Sequence, residues 1–206
     1  MHYELQNILS GAQQVSHGAI IQTICHYLRR CQETSALVKT DKHFKSEETK
    51  KLIHFIEEHQ LWVQGIDINL YLSEGAEQKV YLKDEKTVWK LNDTIYYLSW
   101  EDYFINLLLN NYFFTDTAYQ LVGFYQNEKV LYAVVKQPFV KANQKTDLAK
   151  VKEFMQANGF LNTKNNDYYN PDLGIILEDL HDENVLTQNG ILYFIDTVFY
   201  LKDILE

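Results

Sequence analysis

Proline is almost missing from this sequence, whose 206 residues hold only Pro138 and Pro171. Disordered chains are enriched in proline and polar residues, so long disordered linkers are not expected. Cysteine is as scarce. Cys25 and Cys31 stand six apart on an expected helix, on different faces and without metal-ligand spacing. They read as reduced core thiols, which excludes a disulfide scaffold. No apolar run reaches membrane-spanning length and no signal peptide opens the chain, so a cytoplasmic protein with no membrane partner is expected. Positive charge is outnumbered: 19 Lys and Arg face 28 Asp and Glu, a net charge of −9. That sign opposes phosphate backbones and argues against nucleic acid as a partner.

What is plentiful is aromatic: 15 Tyr and 11 Phe within a chain that is 46% apolar, enough for a sizeable core. The length suits one compact domain or two small lobes. Residues 1–62 read as helical. A stripe of Ile20, Ile21, Ile24, Tyr27 and Leu28 follows a capping Ser16, and Leu52, Ile53, Phe55 and Ile56 follow a capping Ser46. From Ile66 the pattern alternates. Strands are expected over Ile68–Leu72, Lys79–Leu82 and Thr87–Leu91, then a helix from Ser99 to Asn110, then strands Ala118–Phe124 and Val130–Lys136. Pro138 ends the last of these. A polar crossover over Lys141–Thr146 leads to a helix opened by Asp147 and closed by Gly159, and Asn165–Pro171 is expected as loop. The layout is α+β.

The chain then carries a dense polar knot. Leu177-Glu178-Asp179-Leu180-His181-Asp182-Glu183-Asn184-Val185 is bracketed by apolar runs, and apolar packing cannot explain its carboxylates. Asn189-Gly190 is a hairpin signal, because both residues tolerate positive φ. The hairpin returns Asp196 beside the loop that holds Asp179 and Asn184.

The spacing Asp179-x-x-x-x-Asn184, followed by a hairpin and Asp196, resembles the catalytic loop and metal-binding Asp of protein kinases. The wording Asp179-Leu180-His181-x-x-Asn184 is nearer to aminoglycoside-phosphotransferase-like kinases. Taken in order, the parts are most similar to the small kinase-like domains in polyvalent proteins of phages and conjugative elements. Gly75-Ala76-Glu77-Gln78-Lys79 looks like a degenerate phosphate-covering loop. Lys90 stands where the family's strand lysine belongs, and Gln137-Pro138-Phe139-Val140 resembles the hinge that carries adenine. The resemblance covers roughly residues 70 to 200. It implies a two-lobed fold: a helical preface (1–62), an N-lobe-like antiparallel sheet with one helix (63–140), and a minimal C-lobe (141–206).

The implied chemistry is phosphoryl transfer from ATP with Mg2+ to an unknown protein or small-molecule acceptor. Asn184 and Asp196 are oxygen ligands suited to Mg2+. Lys90 would hold phosphates, and Asp179 would orient or deprotonate an acceptor hydroxyl. Gly75, Glu77, Lys79 and Gln137 would complete the nucleotide site, with Gly75 letting the backbone approach phosphate. Glu101, with Asp102 the acidic choice on the inserted helix, would pair with Lys90. Each residue alone has a plainer reading: Lys90 as a solvated strand lysine, Asp196 as a turn cap, Asn184 as a loop hydrogen-bonder, His181 as a packing residue. Their order carries the argument.

The sequence departs from the protein-kinase pattern at several points. Leu177-Glu178 replaces the His-Arg pair, Thr197-Val198 follows Asp196 in place of Phe-Gly, and the phosphate loop has one glycine. Ten residues follow Asp196, leaving no room for an activation segment and helical platform. A pseudokinase or nucleotide-binding interaction module is therefore the alternative. A third reading, a metal-dependent hydrolase or nuclease on Asp179, His181, Asp182 and Asp196, is disfavoured by the net acidity and the lack of a second His cluster.

Overall fold

A computed structural model describes residues 2–33, 41–75 and 78–202. Three helices come first: α1 (His2–Ser10), α2 (Ala19–Glu33) and α3 (Asp41–Glu58). On α2 the residues Ile21, Ile24, Cys25 and Leu28 are buried, and on α3 Leu52, Phe55 and Ile56 are, each set at helical spacing. Ser46, expected as a cap, lies inside α3. The Lys- and Glu-rich segment around it has good helix propensity and carries the helix back to Asp41.

Five strands form an antiparallel sheet: β1 (Tyr71–Glu74), β2 (Gln78–Asp84), β3 (Thr87–Asn92), β4 (Gln120–Asn127) and β5 (Val130–Pro138). Their order is β1-β2-β3-β5-β4, which puts β3 at the centre. The strand expected from Ile68 begins only at Tyr71. The Asp67 carboxylate accepts from the Asn69 amide at 2.9 Å and winds Ile68–Leu70 into a 3-10 turn. At the β4 edge the chain leaving α3 runs alongside: Phe124 donates to the Leu61 carbonyl at 2.8 Å, and Val63 donates to the Phe124 carbonyl at 2.7 Å. Gly123 makes this approach possible, since a Cβ there would sit 2.2 Å from the Leu61 oxygen.

Between β3 and β4 lies α4 (Trp100–Phe113). Ser99 caps it, its hydroxyl accepting from the Asp102 amide at 2.9 Å, and Glu101 and Asp102 complement the helix dipole. Trp100, Phe104, Leu107 and Leu108 join α2, α3 and the inner residues of β4 and β5 in one core. Leu109 joins a second core built from the C-terminal elements, so α4 serves both.

The C-terminal elements are α5 (Leu148–Ala157), β6 (Leu161–Lys164), β7 (Asp167–Asn170), β8 (Ile175–Glu178), β9 (Val185–Gln188), β10 (Ile191–Phe194) and β11 (Val198–Leu201). Asp147 caps α5 by accepting from the Ala149 amide at 3.0 Å. β9 and β10 form the expected hairpin, with Asn189 at φ 53° and Gly190 at φ 79°. The other four strands make a sheet in the order β11-β8-β7-β6. β7 corrects the expected loop over 165–171. Its Asp and Asn ends have low strand propensity, but pairing on both sides and a buried Tyr168 override it. The molecule is thus α+β with antiparallel sheets. Among the described residues no helix is long and apolar enough to cross a membrane.

Candidate functional site

The polar knot is the turn between β8 and β9. Asp179 leaves β8 with φ +70°, and its amide donates to Asp167 Oδ1 at 3.1 Å. Leu180, fully buried, pins the loop from beneath. Asn184 closes the loop: its side-chain nitrogen donates to the Asp179 carbonyl at 2.9 Å and to Asp179 Oδ2 at 3.1 Å. His181 supports the same carboxylate. Its Nδ1 accepts from the Glu183 amide at 3.2 Å, which leaves the neutral ring's proton on Nε2, 3.3 Å from Asp179 Oδ1. After the hairpin the chain returns to this loop, where the Ile195 amide donates to the Asn184 carbonyl at 2.9 Å. Asp196 follows, and its carboxylate accepts from the Gln78 side chain on β2.

Lys90 reaches the same place from β3. It is 3% exposed, and its ammonium donates to the Ile195 carbonyl at 2.6 Å. The Tyr119 hydroxyl donates to that same carbonyl at 2.9 Å, and the Tyr119 ring lies 5.4 Å from Lys90 Nζ. Burial lowers the Lys90 pKa, and the Asp196 carboxylate works against that shift. The expected Lys90–Glu101 pair does not form. Glu101 sits in the first turn of α4 and faces α2, where Arg29 Nε donates to Oε1 at 2.5 Å.

A cavity of about 540 Å³ lies between the five-stranded sheet and the β9–β10 hairpin. Gly75, Lys90, Gln137, Asn184 and Asp196 line it together, with Val80, Val88 and Leu186 among its apolar lining. Asp179 and His181 line an adjoining cavity of about 230 Å³, which shares Gly75, Gln78, Glu183, Asn184 and Asp196 with the first. Gln137 turns its side chain inward, donating to the Thr117 carbonyl at 2.8 Å. Lys79 lines neither cavity. It alternates with Gln78 and Val80 along β2, and its ammonium lies 3.7 Å from Glu74. Glu77 lies outside the described residues, as does the acidic tail. Among the described residues, no group of three or more His, Cys, Asp or Glu could hold a metal by itself.

Four contributors escaped the sequence reading. Gln78 lay inside the expected phosphate loop, and only strand phase separates it from Lys79. Tyr119 carried no local signal. Asn106 and Asn110 did, as amides four apart that flank the apolar run Leu107–Leu109 of the helix.

No curated protein and no solved structure matches the chain. Residues 45–203 match a family described as serine/threonine/tyrosine kinase found in polyvalent proteins. The match begins within α3 and takes in every strand and both cavities. That is well over half of the sequence, and the chain belongs to this family of kinases from polyvalent proteins.

Proposed function

We propose that the chain is a minimal two-lobed phosphotransferase that takes ATP with Mg2+ in the larger cavity and an acceptor hydroxyl in the adjoining one. The observation that carries the reading is that Lys90, Asn184 and Asp196 line one cavity while Asp179 lines the cavity beside it, across a shared wall. The lobes in this reading are residues 63–140 and 141–206, with 1–62 as a helical preface.

The donor set fits the cofactor. Asp196 offers a carboxylate and Asn184 an amide oxygen, and Mg2+ held partly by substrate phosphates needs only one or two carboxylates from the protein. Bound Mg2+ supplies charge neutralisation for the phosphate oxygens. Lys90 adds a fixed positive charge in a site of low dielectric, where it counts for more than in water. Asp179, held by Asn184 and His181, is oriented to accept a proton from an acceptor hydroxyl. At the hinge, Pro138 has no N–H and the Phe139 amide donates to the Lys86 carbonyl at 2.7 Å. Of residues 138–140, Val140 is then the one that offers an amide to a base edge. The acceptor is a protein or a small molecule.

A pseudokinase or nucleotide-binding interaction module is the second reading. Two observations favour it: Glu101 is engaged by Arg29 rather than Lys90, and Gln78 engages the Asp196 carboxylate. Calorimetric titration of ATP with Mg2+ into wild type, Asp196→Ala and Asp179→Ala tests both. Phosphotransfer requires that Asp196→Ala lose metal-dependent binding, and that Asp179→Ala bind normally while losing γ-phosphate turnover. Normal turnover in Asp179→Ala sinks the catalytic assignment. Binding without turnover in wild type selects the module.

A further inference from the structure

A fully buried amide must find partners or destabilise the fold, and α4 carries two on one face, Asn106 and Asn110. Both reach the segment that carries Asp196. Asn110 Oδ1 accepts from the Thr197 hydroxyl at 2.9 Å, and its nitrogen donates to the Thr117 carbonyl at 3.3 Å. Asn106 Oδ1 accepts from the Phe199 amide at 2.8 Å, and its nitrogen donates to the Tyr97 hydroxyl at 3.0 Å. Upstream of Asp196, the Thr117 hydroxyl donates to the Phe194 carbonyl at 2.5 Å, and Lys90 and Tyr119 share the Ile195 carbonyl. The segment is therefore gripped by its backbone at 194, 195 and 199 and by the Thr197 side chain. Asp196 stands at the middle of the clamp, with its side chain turned to the cavity.

We infer that Asn110 and Thr197, with Asn106, are positioning residues that fix the Asp196 carboxylate, so that α4 is coupled to this ligand directly and not through an ion pair to Lys90. The inference rests on the metal–nucleotide reading of the cavity. α4 has no carboxylate on Lys90, because Glu101 faces α2. These amides make its hydrogen bonds to the segment that carries Asp196. Any displacement of α4 is thus delivered to the residue next to Asp196.

The test uses Thr197→Val, which keeps the shape and removes the donor, and Thr197→Ser, which restores the hydroxyl. Each is titrated with ATP in the presence of Mg2+ and again in EDTA. Amide hydrogen exchange across residues 194–199 is measured in the same proteins without nucleotide. Thr197→Val is expected to weaken Mg2+–ATP binding about tenfold and leave metal-free ATP binding unchanged. It should also raise exchange at residues 196–198 while the β7–β8 ladder stays protected. Thr197→Ser should match wild type in every measurement. Equal losses with and without Mg2+, or unchanged exchange at 196–198, overturn the positioning role. If wild type binds no nucleotide, the reading of the cavity fails, and the exchange result alone decides whether the amides fix this segment.

Discussion

Arg29 on α2 holds Glu101 on α4 at 2.5 Å, and the same guanidinium donates to the Leu9 carbonyl at 2.6 Å. One cation therefore ties the end of α1 and the first turn of α4 to α2. Both charged side chains are largely shielded, and charge-assisted hydrogen bonds in such settings exceed those at an open surface. Arg29→Ala should lower unfolding stability by about 2 kcal/mol. A double-mutant cycle with Glu101→Gln, measured by urea denaturation, should return a coupling of about 1 kcal/mol. A coupling near zero would mean that the pair is incidental to holding α4.

The same helix end carries a pH-sensitive contact. The buried Glu48 carboxylate on α3 accepts from the Trp100 amide at 2.6 Å and from the Glu101 amide at 3.3 Å. Burial pushes its pKa up from 4.5 to about 7. The two amides pull it down, while Glu101 and Asp102 push it further up. A raised carboxylate binds its proton more tightly in the folded than in the unfolded chain. Its contribution is full below pH 4.5 and is lost as pH rises through about 7. The loss across that window is at most roughly 3 kcal/mol. Thermal unfolding of wild type from pH 4.5 to 8 should show this decline, and Glu48→Gln should flatten it. An identical profile in the variant would remove Glu48 as the cause.

In the proposed phosphotransfer reading, Lys90 sets function against stability. Its ammonium is buried, and burial lowers its pKa. The Ile195 carbonyl that it engages also accepts from Tyr119, so removing the lysine leaves that oxygen satisfied. Lys90→Met should therefore keep stability within about 1 kcal/mol of wild type, or exceed it. Nucleotide affinity should fall at least tenfold. A cooperative loss of several kcal/mol on denaturant titration would make Lys90 a structural residue first.

Local chemistry made the returning hairpin legible: Asn189-Gly190 demands positive φ at both positions, and the structure has it. The order β3, α4, β4, β5 followed from a change of hydrophobic period. The facing of β2 was harder, because Gln78 and Lys79 differ only in strand phase. Glu101 had a plausible partner in sequence order and a different one in space, since ion pairs between distant helices leave no local mark. β7 was missed because its stability comes from two neighbouring strands and not from its own residues.

The sharing of α4 between two cores has a consequence for how the molecule comes apart. Tyr103, Phe104, Leu107 and Leu108 on this 14-residue helix pack against the N-terminal helices and the large sheet, while Leu109 packs among the C-terminal strands. Losing α4 opens both interiors together. The chain should melt as one cooperative unit with no half-folded plateau, and limited proteolysis should release no stable fragment that ends before Trp100.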